Sequence, residues 1–287
     1  MKNISVAHSP DADDIFMYYA IKFGWVTPKD AIFSNIAADI ETLNQATLKG
    51  EYDICAISFA LYPFIKDDYA LLKTAVSFGE GYGPKLIKKI GTKLKRNFKV
   101  ALSGEFTTNA LLFKIAYPNA RITYMNFLDI EKAVLDGTVD AGVLIHESIL
   151  TYNQELEVER EMWDIWVELS GGGLPLPLGG MCLRRSIPLH SAIDYENTLI
   201  KAVDVANKNR KVLAPMLLEK GLIRVDAATL DKYLDLYAND NSVLMSDLQY
   251  EALDKLYELG YKNGFYENLI HSKDFLIPTE YEELRAK

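Results

Sequence analysis

Apolar residues in this chain come in short blocks separated by polar turns, and the blocks carry two different spacings. Ile4, Val6 and Ala7 lead into His8-Ser9-Pro10-Asp11. A brief apolar run closed by a turn predicts a strand over about Asn3 to Ala7. Phe16, Tyr19, Ala20 and Phe23 then fall at i, i+3, i+4 and i+7, the spacing of one helix face. Ser9 or Asp11 can cap that helix, Pro10 suits its first turn, and Gly24 ends it. A strand at Ala31-Ile32-Phe33 follows, then a helix from Asp39 to Lys49 stopped at Gly50, then a strand from Tyr52 to Ile57 ending at Ser58. The order β, α, β, α, β predicts a parallel sheet.

The order then restarts. A short helix is expected at Phe59 to Ile65, a strand over Ala70 to Val76, and a loop at Gly79-Glu80-Gly81-Tyr82-Gly83-Pro84. A basic, weakly patterned stretch to Arg96 reads as a crossing into another domain. Lys99 to Leu102 is a strand, and Ser103-Gly104-Glu105-Phe106-Thr107-Thr108 is a turn opening a helix to about Tyr117. Arg121 to Tyr124 is a strand, Leu128 to Leu135 a helix closed by Asp136-Gly137, and Ala141 to Ile145 a strand. This second β-α-β-α-β unit shares no sequence repeat with the first.

Thr151 to Trp166 mixes acidic residues with Trp163 and Trp166, and Ser170 to Gly180 is the densest cluster of breakers. Met181-Cys182-Leu183 reads as a strand returning to the first unit. The remainder is helical and is expected to pack on the first sheet. Ser246-Asp247-Leu248-Gln249 has the form of a capping box, followed by a stripe of Leu248, Ala252, Leu256 and Leu259. The expected architecture is α/β in two domains: residues 1–90 with 181–287, and residues 91–180. Two domains crossed twice by the chain leave a cleft, and ligand sites favour such interfaces.

Composition narrows the possible partners. The 287 residues are 49% hydrophobic and 25% charged, which is a globular balance, and the net charge of −9 repels phosphate backbones. The densest basic run, Lys85, Lys88, Lys89, Lys93, Lys95 and Arg96, is therefore expected to be a solvated face or the crossing itself, not a nucleic-acid site. Cys55 and Cys182 each sit alone in apolar surroundings and read as buried free thiols. The chain opens directly on a strand, without the charged and apolar regions of a signal peptide, and no apolar run nears the roughly 18 residues of a membrane span. The expectation is a soluble, cytoplasmic protein whose partner is a small molecule, with neither nucleic acid nor membrane.

Several residues could carry chemistry. Val143-Leu144-Ile145 stops at His146-Glu147-Ser148. Ligands gather at the carboxyl ends of strands in open α/β sheets, so His146 is placed as a general base or donor; the alternative is a core histidine bonded to a carbonyl. The turn ending in Thr107-Thr108 offers hydroxyls and free helix-start amides, a cradle for a carboxylate or simply a helix cap. Ser58 can meet a ligand or cap the helix after it. Asp11, Asp13 and Asp14 crowd one helix start; a metal is conceivable, but favourable charge on the helix dipole explains at least two of them. The stretch Gly171 to Gly180 is a backbone surface for a flat ligand, a hinge, or both. His8 is a secondary candidate, and His190 and His271 are expected on the surface.

Taken together, these stretches resemble the 1,4-dihydroxy-6-naphthoate synthase family of the futalosine route to menaquinone. The resemblance rests on Ser9-Pro10 with Asp14 and Phe16, on Glu41-Thr42-Leu43-Asn44, and on Gly81-Tyr82-Gly83-Pro84. It continues through Thr107-Thr108, Ile145-His146-Glu147-Ser148 with Thr151-Tyr152, and Gly173-Leu174-Pro175-Leu176-Pro177-Leu178-Gly179, in the family's order over about residues 4 to 185. It implies a type II periplasmic-binding-protein-like fold with a ligand cleft between the domains, and a carbon–carbon lyase acting on cyclic dehypoxanthine futalosine, a substrate that carries a carboxylate. It implies no organic cofactor and no metal. His146 matches the family's proton acceptor, and Ala56, Ile57, Ser58, Thr107 and Thr108 match substrate-binding positions. One stretch departs: where the family has a Cys-Pro-Asn-Asp type sequence, this chain has Asp11-Ala12-Asp13-Asp14. A chorismate dehydratase on the same fold, or a cytoplasmic binding or sensor module without chemistry, is the alternative.

Overall fold

In the computed structural model, which describes residues 1–279, the first unit forms as its spacing predicts. Strand β1 (Lys2–His8) pairs in parallel with β2 (Ala31–Ala37) on one side and β3 (Ile54–Ser58) on the other. Helices α1 (Ala12–Lys22) and α2 (Ile40–Leu48) connect them. Asp39 caps α2 by accepting the Thr42 amide. Neither Ser9 nor Asp11 caps α1; Glu147, far along the chain, accepts the Ala12 amide instead. The chain continues through a short helical turn, Phe59–Leu61, into α3 (Tyr62–Ile65). The strand expected over Ala70 to Val76 is two pieces, β4 (Tyr69–Leu71) and β5 (Ser77–Gly79). Ala75 between them has a φ of 54°, which no strand accommodates.

The first crossing comes earlier than residue 90. Strand β6 (Lys85–Lys89) already lies in a second sheet. That sheet also holds β7 (Lys99–Leu102), followed by α4 (Thr108–Ala116), then β8 (Arg121–Tyr124), α5 (Phe127–Leu135) and β9 (Ala141–Leu144). Strand β10 (Leu156–Glu161) and helix α6 (Met162–Ser170) complete the second lobe. The strand order is β10-β6-β9-β7-β8, with β7, β8 and β9 parallel and β6 and β10 antiparallel additions. Lys85, Lys88 and Lys89 of the basic run are thus in a strand, while Lys93, Lys95 and Arg96 lie in the connection to β7. Lys88 reaches Glu157 at 3.6 Å and Lys85 reaches Glu161 at 3.7 Å, so opposite charges face each other across the β6–β10 ladder.

Strand β11 (Leu176–Arg184) returns to the first lobe and runs antiparallel to β3, β4 and β5, giving the order β2-β1-β3-β11-β4 with β5 beside β11. Half of the expected breaker cluster is therefore strand. Its register shifts between Pro177 and Gly179, an irregularity of the kind that admits proline into a sheet. Cys55 and Cys182 face one another across β3 and β11, buried and free.

The C-terminal part is helical, as expected: α7 (Leu189–Lys208), α8 (Arg210–Glu219), α9 (Ala227–Tyr237) and α10 (Asp247–Lys262). Helices α7, α8 and α9 pack on α1, which is why α1 is covered almost all round, from Ile15 to Tyr18, instead of along one stripe. The capping box at Ser246 and Gln249 forms, but Leu248 faces solvent, and Tyr250, Leu253 and Tyr257 fill the buried face with Leu256. Residues 280–287 of the expected range 181–287 lie outside the described residues. Among the described residues, no helix is long and apolar enough to cross a membrane.

Candidate active site

A cleft with about 720 Å³ of empty space, open solvent included, lies between the two lobes. Its lining comes from the carboxyl ends of strands in both sheets. Every site residue expected from sequence, Ala56, Ile57, Ser58, Thr107, Thr108 and His146, lines it.

His146 is set by its backbone. Strand β9 ends at Leu144, and His146 takes a φ of 56° as the first residue of a short turn through Ile149. A side chain in the left-handed region is strained, by roughly 1–3 kcal/mol, and such strain persists only where surrounding contacts hold it. Here the Phe127 ring stands edge-on to the imidazole at 4.9 Å, and the Asp11 carboxylate takes Nδ1 at 2.6 Å. The opposite nitrogen, Nε2, is buried and has no hydrogen-bond partner among the described residues. A core histidine bonded to a carbonyl, the alternative reading, is not what the structure holds.

The three aspartates at the start of α1 are not surface charges on a helix dipole. Asp11 is buried and receives three groups: His146 Nδ1, Ser9 Oγ at 2.6 Å and Arg224 Nη2 at 3.1 Å. Asp13 accepts from Ser77 Oγ at 2.9 Å, and Asp14 from the Ser9 amide at 2.8 Å. All three line the cleft.

Burial and mutual charge divide these groups. Burial works against ionisation of Asp11, but the charge and hydrogen bond of His146, with Ser9 and Arg224, outweigh it and hold the carboxyl below its ordinary value. Burial, with the charges of Asp14 and Asp11, pushes Asp13 well above the usual carboxylate range. Burial would lower His146; the charge and hydrogen bond of Asp11, together with Glu147 and Asp13, outweigh it and hold the imidazole above its ordinary value. The site thus pairs an Asp11 carboxyl held low with a histidine held high, beside an Asp13 carboxyl whose ionisation burial opposes. Pairs of groups driven apart in this way are typical of acid–base sites.

On the opposite wall, Thr107 caps α4, accepting the Ala110 amide at 3.2 Å and donating to Gly104 O at 3.1 Å. Thr108 Oγ1 donates to Leu178 O on β11 at 2.9 Å and accepts the Ala60 amide at 3.3 Å, so it ties the lobes together. Both hydroxyls are therefore engaged within the protein. The start of α4 still faces the cleft, and the next residue, Asn109, is buried with Oδ1 unpartnered among the described residues. Ser58 does not cap the following turn. Asn44 donates to its Oγ at 3.1 Å and accepts its amide at 3.0 Å, which leaves the hydroxyl hydrogen free to turn toward a ligand. Gly179 and Gly180 line the cleft beside it; a Cβ on Gly180 would lie 2.7 Å from the Phe59 ring.

Sequence reasoning missed Asn109, Arg224, Tyr233 and Tyr237. The two tyrosines come from α9 and line the cleft, their phenols raised well above the ordinary range chiefly by burial. His8 is bonded elsewhere, by Nδ1 to Ser9 O at 2.7 Å and by Nε2 to Asn35. His190 is exposed, and His271 sits on the surface beside Asp254.

Two α/β lobes with a cleft between them and an acid–base cluster at its wall define a binding-protein-like scaffold carrying the groups of an enzyme. Solved structures of low sequence identity share that fold: the ligand-binding component of an ABC-type import system from Staphylococcus aureus (TM-score 0.72, 11% identity, 99% of each chain) and the periplasmic aliphatic sulphonate binding protein of Escherichia coli (TM-score 0.63, 11% identity, 96% of this chain and 92% of that one). A crystal structure of a protein from Archaeoglobus fulgidus is nearer, at 34% identity and a TM-score of 0.85 over 91% of this chain and 98% of that one. The chain is 31% identical to the 1,4-dihydroxy-6-naphthoate synthase of Streptomyces coelicolor (87% of this chain, 90% of that one) and 30% identical to that of Thermus thermophilus (72% of each). Residues 4–262 match the profile of a menaquinone biosynthesis family. The chain belongs to that family, has a periplasmic-binding-protein-like fold, and is an enzyme of menaquinone biosynthesis.

Proposed function

We propose that this enzyme converts cyclic dehypoxanthine futalosine to 1,4-dihydroxy-6-naphthoate in the cytoplasm, with His146 as the general base. The observation that carries the reading is the state of His146, which lines the cleft: one ring nitrogen is fixed by Asp11, and the other is buried and without a partner among the described residues. The Streptomyces and Thermus relatives, both 1,4-dihydroxy-6-naphthoate synthases, support the product; the substrate is the one the family resemblance implies. In this reading the start of α4, with the Thr107 and Thr108 amides and Asn109, takes the benzoate carboxylate or another substrate oxygen, as helix starts do for anions. Ser58 donates its hydroxyl from the other lobe, and Ala56 and Ile57 offer backbone. His146 Nε2 removes a proton from the sugar-derived part, a carbon–carbon or carbon–oxygen bond there breaks, and aromatisation of the new ring supplies much of the driving force. A base of this kind contributes about 10²–10⁴-fold in rate.

The experiment is turnover of cyclic dehypoxanthine futalosine by the parent and by His146→Ala, followed by absorbance and mass of the product. Product from the parent, and loss of about 10²–10⁴-fold in kcat from the variant with KM little changed, supports the reading. Full turnover by the variant removes His146 as the base. Binding without product in the parent removes the reaction and leaves a binding module.

A further inference from the structure

The Asp11 carboxylate lies 2.6 Å from His146 Nδ1, yet the two residues come from different lobes. Asp11 follows β1 of the first sheet and His146 follows β9 of the second. Asp11 is itself fixed: Ser9 Oγ donates to Oδ2 at 2.6 Å, and Arg224 Nη2, from the loop before α9, donates to Oδ1 at 3.1 Å. Among the described residues, Arg224 alone claims Oδ1, while His146 and Ser9 share Oδ2.

We propose that Asp11 is the positioning residue that makes His146 a base, holding the proton on Nδ1 so that Nε2 stays bare toward the cleft. This rests on the reading of His146 as the base. An ionised carboxylate only accepts, so Nδ1 must donate, and a neutral imidazole then has its lone pair on Nε2. Nε2 is the nitrogen that is buried and, among the described residues, unpartnered. The other charges around the ring act on how readily it takes a second proton, not on which nitrogen is bare: Asp13 and Glu147, with Asp11, favour the charged imidazole. Asp13 comes from the start of α1, Glu147 from the histidine's own turn, Arg224 from the loop before α9, and Tyr233 from α9. Among them, Asp11 is the one that touches Nδ1.

The arrangement makes Asp11→Asn a directed test. Arg224 requires an acceptor at the Oδ1 position, so the new amide places its oxygen there and its NH₂ against Nδ1. Nδ1 must then accept, and the proton moves to Nε2. In ¹⁵N-histidine spectra at a pH where His146 is neutral, with His146→Ala for assignment, the parent shows a bare Nε2 and Asp11→Asn shows a protonated one. The variant's histidine also titrates at lower pH, and kcat falls by roughly 10²–10⁴-fold while KM stays near the parent's. Adding Arg224→Met releases the amide to turn over and accept from Nδ1, so the double variant recovers a bare Nε2 and at least roughly tenfold of the lost kcat. The proposal is overturned if Nε2 stays bare in Asp11→Asn, if that variant keeps the parent's kcat, or if kcat falls with the tautomer unchanged. If His146→Ala keeps full turnover while Asp11→Asn moves the proton as described, the base assignment fails and the pairing stands.

Discussion

Glu147 Oε1 accepts the backbone N–H of Ala12 at 2.9 Å, so the residue after the candidate base, in the second lobe, caps the helix that follows Asp11 in the first. Its other oxygen meets Arg224 at 3.4 Å. One carboxylate thus sets the register in which His146 and Asp11 meet. Hydrogen bonds to charged groups contribute about 1.5–3 kcal/mol, so Glu147→Ala should destabilise the protein by roughly 2 kcal/mol. Glu147→Gln keeps an oxygen for Ala12 and should lose about half of that. Urea unfolding of the three proteins distinguishes them; an alanine variant as stable as the parent would show that the bond does not tie the lobes.

Glu41 and Gly104 make another close approach between the lobes. The Glu41 carboxylate accepts the Phe106 amide at 3.3 Å, and a Cβ on Gly104 would lie 2.2 Å from Glu41 Oε2 and 2.6 Å from Glu41 Cβ. The carboxylate could swing aside, but the Glu41 Cβ moves only with its helix, so the lobes would have to part. Gly104→Ala should raise KM by roughly tenfold, the equivalent of about 1.4 kcal/mol of lost closure. It should also give a larger radius of gyration by small-angle scattering. An unchanged KM and radius would mean that α2 gives way locally.

The site was readable from sequence as far as it lies at strand ends. Ala56 to Ser58, Thr107, Thr108 and His146 each follow a short apolar run, and alternating strands and helices bring such ends to one edge. The aspartates were misread because nothing in Asp11-Ala12-Asp13-Asp14 shows that α7, α8 and α9 cover the helix that carries them. Arg224, Tyr233 and Tyr237 were missed for the same reason: an amphipathic helix signals that a face is buried, not what it faces. Strand β6 was read as a crossing because Leu86 and Ile87 sit side by side between lysines, with neither helical nor strand period. The acids that pair with those lysines lie far along the chain in β10.

Thr107 can be separated from Thr108 by what each hydroxyl holds. Thr107 caps α4 within its own lobe, whereas Thr108 bridges to Leu178 and Ala60 of the other. Thr107→Ala should lose about 1 kcal/mol of stability as a lost cap, and Thr107→Ser should restore it. Thr108→Val keeps the shape but removes the bridge, so its larger effect should be on KM. Thermal unfolding and steady-state kinetics on the same samples test the division. A stability loss for Thr108→Val alone, with KM unmoved, would contradict it.

Asp13 gives the clearest dependence on pH. Its carboxyl is held well above the usual range by burial, with the charges of Asp14 and Asp11 adding to the effect, while the unfolded chain ionises near the ordinary value of 3.8. Between those two values the folded protein binds a proton that the unfolded chain has released. Stability therefore falls as pH rises from about 4 toward the folded value, and the loss is complete above it. Asp13→Asn has no proton to hold and keeps an oxygen for Ser77 Oγ, which now donates to Asp13 at 2.9 Å. The variant should match the parent near pH 4 and exceed it in Tm at pH 8, where the parent must bury a carboxylate or hold a proton the unfolded chain has released. A gain that is the same at both pH values would mean that Asp13 is not held protonated by the fold. A loss at pH 8 would mean that the ionised carboxylate is the form the site is built around, and would place a second charge, not a neutral acid, beside His146.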